Sequence, residues 1–400
     1  MLEKLPTELV LIIAELAAPH TAQDRQCLFI NRRRWFSSLA SVCRSTYLAV
    51  RPLIWSELWI FERKVGALVK AAARDPTFAM YTKRMVCIDI PAEAFEQLGD
   101  LFPLFSGLRS LVISESGRWA SPLRLSVLER LGALRDLSLA ECTIAPDLPR
   151  LRQLETLCLR GRVDGGKTNL PFGPSMILMQ FSQAQGKTKH LRMLEQERQR
   201  WFTGTQTPLT GCPPEFANLD LLELDADSFE TLQEPEYDDI LPSLTCRIIL
   251  KCRLDELDEL LVADAGDEAL PLPAKFEIWI DSEGPRRHRQ WRDSEETKDA
   301  LQALVWAAPR ISSLSLPRNL GVGYRIGHIS RIRPHVYELI KQFRRRHIPI
   351  RFHDRPPGWS DLLNPTFQTF DECGREGYFS DLFNGKVDDP ELRDFQIVMA

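Results

Sequence analysis

A short leucine-rich pattern recurs along this chain and restricts the folds that it can adopt. Each copy reads L-x-x-L-x-L or a close variant, and its second half has Leu or Ile at every other position, as does a β-strand with one apolar face. The copies begin at Leu108, Leu134, Leu154, Leu219 and Ile311. One strand with its connection cannot bury its own apolar face, so such copies are expected to stack side by side. The pattern therefore predicts a series of short strands joined by return segments.

The repeated pattern resembles that of leucine-rich repeat proteins. The second copy continues to Cys142 and Ile144, as in repeats of the L-x-x-L-x-L-x-x-C type, and residues 125–131 read as a helix between two copies. The resemblance implies an irregular α/β solenoid with one strand and one return helix per unit. Because the spacing is uneven, the register after Leu159 is left open. An ordinary α/β domain with similar strands is the alternative.

The N-terminal segment, Leu2 to Leu58, predicts two or three short amphipathic helices that need a partner. Pro6 suits a helix start, and a second helix is expected to be capped by Ser37 or Ser38 and to end at Pro52. A connector, residues 17–36, separates the two helices. The first helix has one apolar stripe, and its members are Leu5, Leu9, Ile12, Ile13 and Leu16. Short helices with so much apolar surface cannot bury it alone, although packing on the chain's own domain is the alternative.

This segment resembles an F-box, the docking module of substrate receptors in Skp–cullin–F-box ubiquitin ligases. The resemblance covers residues 1–60, and the connector is longer than is usual in the family. The matching residues, which the resemblance assigns to the interface with the Skp adaptor, are Leu5, Pro6, Leu9, Ile13, Val42, Cys43 and Trp55. The resemblance also implies that the chain has no catalytic residue, cofactor or metal of its own, and that it reaches cullin through the adaptor.

The domain organisation that we predict has four parts. Residues 1–60 form the F-box-like docking module, and residues 61–159 form a linker helix and the first repeat-like units. Residues 160–216 are rich in Gly and Pro and are expected to be an exposed insertion, in which Lys189 to Trp201 reads as a short polar helix. Residues 217–400 hold further repeat-like units and a C-terminal cap. The predicted fold class is thus α/β, with all-α helices followed by a solenoid.

One motif suggests an enzyme instead. Residues 161–168 match G-x-x-x-x-G-K-[ST], the pattern of a phosphate-binding loop, and they follow a predicted strand. Such a loop needs a helix directly after it, but Pro171, Gly173 and Pro174 oppose helix formation there. An enzyme that hydrolyses ATP or GTP is therefore kept only as an alternative, which a helix after Thr168 would favour.

Charge and cysteine usage exclude several other functions. The net charge of -4 and the pI near 6.1 provide no general attraction to nucleic acid or to an anionic membrane. Nine cysteines, an odd number lying mostly in apolar runs, predict reduced thiols in the cytoplasm or nucleus. Cys246 and Cys252 lack the second close pair that a zinc site requires. No apolar run reaches membrane-spanning length.

The resemblance to an F-box, followed by a repeat domain, implies the substrate-recognition subunit of a ubiquitin ligase, which docks on the Skp adaptor and binds a target protein through its repeats. The alternative from another class is an interaction scaffold that uses the repeats without any ligase. The N-terminal helices distinguish the two. An exposed apolar stripe on them favours the receptor, and a fully self-buried stripe favours the scaffold.

Overall fold

The structure, a computed structural model, combines helices with parallel strands and is of the α/β class. It describes residues 6–17, 25–114, 122–145, 149–161, 163, 188–194, 216, 219–233, 240–261, 272–280, 295–317 and 333–353. The chain divides into two compact units. Described residues up to Leu194 belong to the first unit, and those from Phe216 to His353 belong to the second. No helix among the described residues is long and apolar enough to cross a membrane.

Three helices begin the first unit. They are α1 (Thr7–Leu16), α2 (Arg25–Ala40) and α3 (Arg44–Trp55), and α3 packs against both of the others. Helix α2 lies largely in the segment that the sequence predicts to be a connector. It places Phe36 in the buried core of the helices, and Trp35 donates a hydrogen bond of 3.1 Å from Nε1 to the carbonyl of Ala14. The connector is therefore part of the helical module.

Two predicted helix ends were wrong. Ser37 and Ser38 lie inside α2, and the cap of the following helix is Cys43. Pro52 lies inside α3, which continues to Trp55. A proline removes one helical hydrogen bond, but its fixed φ suits the helix, and burial of the neighbouring Val50 offsets the loss.

Six parallel strands follow in the first unit. Their bounds are β1 (Glu57–Phe61), β2 (Arg84–Ile88), β3 (Ser110–Ser114), β4 (Asp136–Ala140), β5 (Thr156–Arg160) and β6 (His190–Leu194). Each strand pairs in parallel with the next one along the chain. Helices α4 (Glu62–Arg74) and α5 (Ala92–Leu101) lie in the first two connections. The described connections also contain 3-10 helices, at Pro76–Tyr81, Phe102–Leu104 and Leu125–Arg130. The last of these replaces the helix that the sequence predicts at 125–131.

Strand β6 corrects another prediction. The sequence reads Lys189 to Trp201 as a polar helix, but His190–Leu194 is a strand in register with β5. Leu191 and Met193 are buried on one side of this strand, and Arg192 is buried on the other. The strand alternation covers only five residues. The charged residues that follow it have a helical pattern, and that pattern led to the prediction of a helix. Most of the predicted insertion, 160–216, lies outside the described residues, so its exposure and mobility stay predictions.

The structural repeat is longer than the pattern in the sequence. In each copy, the amide of the first leucine-type residue donates to the carbonyl of a buried apolar residue three positions earlier. The donor and acceptor residues are Leu108 and Phe105, Leu134 and Leu131, Leu154 and Leu151, Leu219 and Phe216, and Ile311 and Ala308. This turn precedes every strand of the pattern. Strand positions such as Leu137 and Leu157 then pack at 0% exposure.

Consecutive strands of the first unit are also joined at their starts by a ladder of backbone hydrogen bonds. The carbonyl oxygen of the residue before each strand accepts hydrogen bonds from two N–H groups at the start of the next strand, at 2.7–3.1 Å. The accepting residues are Ser56, Lys83, Arg109, Arg135 and Glu155, and the ladder ends at the amides of Lys189 and His190. We call Lys83, Arg109, Arg135, Glu155 and Lys189 the entry ladder. The same bond pair at five steps fixes the register of six strands.

The second unit has the same organisation. Its strands are β7 (Leu221–Asp225), β8 (Arg247–Cys252), β9 (Phe276–Ile280), β10 (Ser313–Pro317) and β11 (Ile350–His353), paired in parallel in that order. Its helices are α6 (Ala226–Gln233), α7 (Ile240–Ser243), α8 (Leu257–Leu261), α9 (Glu295–Ala307) and α10 (Arg333–Arg345), with 3-10 helices at Leu254–Glu256 and Ala308–Arg310. One face of β7 and β8 holds a buried ion pair, with Lys251 Nζ 2.9 Å from Glu223 Oε2.

Candidate interaction surface on the N-terminal helices

Helix α1 carries apolar residues on two different faces. Val10 and Ala14, four residues apart, are buried against α2 and α3. Leu9, Ile12 and Ile13 lie on another face and are 45%, 51% and 44% exposed. The stripe predicted from the sequence thus has helical spacing, but these three members do not pack into the core of their own module.

The module's own core is small and uses other residues. Its buried members are Val10, Ala14, Phe36, Ala49 and Val50, and the partly buried residues around them are Trp35, Leu39, Ala40, Leu53 and Ile54. Helix α2 therefore supplies much of the core that a two-helix hairpin would have built from the stripe on α1. Because this role is filled, the side chains of Leu9, Ile12 and Ile13 remain in contact with solvent.

Helix α3 shows the same division. Thr46, Ala49 and Val50 are buried on one face, whereas Tyr47 and Leu48 on the opposite face are exposed. Val42, in the turn just before this helix, is 60% exposed. The helical module thus presents large apolar side chains from two helices and a turn.

We call this set the N-terminal apolar surface. Its residues are Leu9, Ile12, Ile13, Val42, Tyr47 and Leu48. They are six of the ten large apolar residues that are exposed in the described part of the chain. Single exposed apolar residues are ordinary, but a concentration of them on one small module is typical of a protein interaction site.

Cys43 begins α3. Its backbone is extended, with φ of -162° and ψ of 167°, and its Sγ accepts a hydrogen bond from the Thr46 amide at 3.4 Å. The same sulfur lies 2.9 Å from Thr46 Oγ1. A side chain in this position satisfies one of the free N–H groups at the helix start. The half-buried Cys43 therefore caps α3. This structural role is independent of its predicted contact with the adaptor.

Trp55, at the end of α3, lies at the junction between the helices and the strands. Its ring centroid is 4.8 Å from that of Phe78, and the guanidinium carbon of Arg33 lies 5.3 Å from the ring centroid. The Trp55 carbonyl accepts a hydrogen bond of 3.0 Å from Thr82 Oγ1. Burial in this junction lowers the pKa of Arg33. Trp55 thus anchors α3 on the first strand unit.

Arg51, one turn earlier, strengthens the same junction. Its Nη2 donates hydrogen bonds to Asp75 Oδ2 at 2.6 Å and to Thr77 Oγ1 at 2.5 Å. Asp75 in turn accepts from the Thr77 amide at the start of a 3-10 helix. The Thr77 hydroxyl hydrogen bond and the Arg51 charge lower the pKa of Asp75. These contacts tie the helical module to the segment that leads into β2.

The structure separates the predicted adaptor contacts into two groups. Leu9, Ile13 and Val42 are exposed apolar residues, and Pro6 is exposed just before α1. Cys43 and Trp55 are half-buried in the contacts described above, and Leu5 lies outside the described residues. The predicted contacts omitted Ile12, Tyr47 and Leu48. Ile12 lies three residues after Leu9, and Tyr47 and Leu48 lie three and four residues after Arg44. Helix periodicity would have assigned these residues to the outer faces once the buried faces were known.

The apparent phosphate-loop motif begins at a position that the repeat itself explains. Gly161 follows β5 with φ of 57°, and the residues after β2 and β4, Asp89 and Glu141, have φ of 51° and 52°. A left-handed residue therefore follows three of these strands, whether or not it is glycine. A positive φ strains most side chains but not glycine, which favours glycine at position 161. Residues 162 and 164–168, including Lys167, lie outside the described residues.

The described residues contain no group of three or more His, Cys, Asp or Glu side chains that could hold a metal ion. The chain matches no protein-family model and no curated protein. The geometry of the N-terminal apolar surface is therefore the observation on which a function can be argued.

Proposed function

We propose that this protein is the substrate-recognition subunit of a Skp–cullin–F-box ubiquitin ligase. The observation that carries the proposal is the N-terminal apolar surface, which lies on the residues that resemble an F-box. Leu9, Ile13 and Val42 belong both to that surface and to the matching motif. The exposed stripe is the outcome that favours a receptor over a scaffold.

The energetics of burial support docking at this surface. Complete burial of a Leu or Ile side chain contributes about 1.5–3 kcal/mol, and covering the exposed half of Leu9, Ile12 or Ile13 would contribute roughly half of that. An apolar helix face on the Skp adaptor would recover part of that free energy. The cores of protein interfaces are enriched in aromatic residues, and Tyr47 supplies one on this surface.

The strands and their connections would bind the target protein and present it to the ligase. Strands that pair in parallel in sequence order support the leucine-rich-repeat-like solenoid that the sequence predicts. In the first unit, Trp55 and Arg51 hold the docking helices against the first strands. The protein needs no catalytic residue in this role. It would act by holding a target lysine near the charged conjugating enzyme, and effective concentration would supply the rate enhancement.

The proposal is tested by replacing both Leu9 and Ile13 with Asp in the full chain. Charges on this surface would have to be buried in the complex, so capture of the recombinant Skp adaptor should be lost. The matched control is Met80→Asp, because Met80 is a large apolar residue of the first unit that is 64% exposed and lies outside the helical module. Thermal unfolding followed by circular dichroism checks that all the variants fold.

Capture of the adaptor by the folded double variant at the wild-type level would contradict the proposal. Failure of the wild-type chain to bind any Skp adaptor would instead favour the scaffold. Equal loss in the Met80→Asp variant would indicate a general effect of added charge, and would also count against the proposal.

A further inference from the structure

The side chains of the entry ladder form an exposed and mainly basic row along one edge of the first unit. Lys83, Arg109, Arg135 and Lys189 are basic, and Glu155 is the acidic member. The repeated backbone hydrogen bonds fix one such residue at the start of each strand from β2 to β6. Neighbouring parallel strands lie about 4.8 Å apart, so the row presents charges at regular intervals.

The positive charge of this row is only partly neutralised. Arg135 Nη1 lies 3.4 Å from Glu155 Oε1, and both side chains are about half exposed. Within the described part of the chain, Lys83 and Arg109 take part in no ion pair. Arg152 is exposed in the turn that leads to Glu155 and adds a further positive charge. The whole chain has a net charge of -4, so this basic edge is a local arrangement and does not follow from composition.

A half-buried arginine adds to the potential of this edge. Arg84 follows Lys83, and its Nε and Nη2 are buried without a hydrogen-bond partner. Its Nε lies 3.9 Å from Glu57 Oε1, which is a long ion pair. Burial lowers the pKa of Arg84, but an arginine remains charged in proteins. Asp136 is the other carboxylate in this row of the sheet, and burial raises its pKa.

We infer that the entry ladder binds an acidic segment of a protein partner. An extended peptide presents side chains on one face about every 6.8 Å, and the long Lys and Arg side chains span the difference from the strand spacing. The guanidinium groups of Arg109 and Arg135 match carboxylates in geometry as well as in charge. Single-stranded nucleic acid is disfavoured, because no member of the ladder supplies an aromatic ring for stacking on bases.

The inference rests on the proposed function in one respect only, which is that the acidic segment would belong to a ligase target. Peptide binding is measured without the adaptor, so the two proposals fail separately. A chain that binds an acidic peptide but no Skp adaptor would support the ladder and contradict the ligase role.

The experiment measures fluorescence anisotropy of a dye-labelled peptide of alternating Glu and Gly residues, titrated with the full chain at low salt. A peptide with Gln in place of Glu serves as the neutral control. The test variant is Lys83→Ser with Arg109→Ser. The matched variant is Arg63→Ser with Lys70→Ser, which removes two exposed charges from α4 instead.

We expect the ladder variant to bind the acidic peptide about fivefold to tenfold more weakly than the wild type, as for the loss of two exposed ion pairs. The matched α4 variant should change affinity less than about twofold, and the Gln peptide should not bind. Equal weakening in both variants would overturn the inference, because net charge alone would then explain binding. Tighter binding of a single-stranded oligouridine that also depends on the ladder would overturn the choice of a protein partner.

Discussion

The N-terminal helices and the strands that follow them use the same apolar residue types with opposite outcomes. Leu137 and Leu157 in the strands are fully buried, whereas Leu9 and Ile13 in α1 remain nearly half exposed. Each central strand has a neighbour on both sides that repeats its apolar pattern. Among the residues that the structure describes, no such neighbour buries the outer face of α1. Burial is therefore decided by what lies next to an element and not by how apolar the element is.

The difference also separates two sources of stability. The strands are held by a repeated turn, the backbone bonds of the entry ladder and leucine packing, all within the chain. The helices have a small core, and their junction with the strands depends on Trp55 and Arg51. We therefore expect substitutions in the strands to change folding, and substitutions on the outer helix face to change binding.

The largest expected effect contrasts the two regions directly. Leu137→Ala should lower the free energy of unfolding by about 3 kcal/mol, because it leaves a cavity in a closely packed layer. Ile13→Ala should lower it by no more than about 1 kcal/mol, since nearly half of that side chain is already in water. Urea unfolding of both variants measures the two values. Equal losses would mean that Ile13 belongs to a folding core, and the comparison would fail.

A smaller effect is expected at the junction. Trp55→Ala should cost about 2 kcal/mol of unfolding free energy, because the half-buried ring loses its contacts with Phe78 and Arg33. Trp55→Phe retains a ring against Phe78 and should lose less than half as much. Chemical denaturation distinguishes the two variants. Wild-type stability of Trp55→Ala would assign the ring to partner binding alone.

The cap of α3 provides a third and smaller test. Cys43→Ala removes the acceptor for the Thr46 amide and should cost about 1 kcal/mol. Cys43→Ser supplies a hydroxyl acceptor and should be at least as stable as the wild type. Thermal melts of the two variants give the difference. If Ala and Ser behave alike, the sulfur does not act as a cap.

The smallest effect is expected at Lys167. In the repeat interpretation, Lys167→Ala should change unfolding free energy by no more than about 0.5 kcal/mol and should leave adaptor capture unaltered. The wild-type chain should show no magnesium-dependent binding of ATP or GTP by calorimetry. In a phosphate loop, this lysine supplies a charge that no other side chain of the loop replaces. Micromolar nucleotide binding that disappears in the variant would revive the enzyme alternative.

The parts of the fold that the sequence predicted best are those with a strong local period. The strands at Leu111, Leu137 and Leu157 were predicted from the repeated leucine pattern, and the linker helix after residue 61 corresponds to α4. Helix α2 was missed because three consecutive arginines precede Trp35 and Phe36, the two aromatic residues that reach the core, and so the segment has no clear apolar period. Strand β6 was missed because five residues are too few to outweigh the charged run that follows.

The candidate surface divides in the same way. The amino-acid sequence by itself determined that α1 has an apolar stripe and that Cys43 and Trp55 follow it at defined spacing. Periodicity is a local property, so it can be read along the chain. Only the tertiary structure decided that Val10 and Ala14 face inward while Leu9, Ile12 and Ile13 face outward, and that Cys43 caps a helix. Those outcomes depend on α2 and α3 packing against α1, contacts between residues distant in sequence that no local pattern contains.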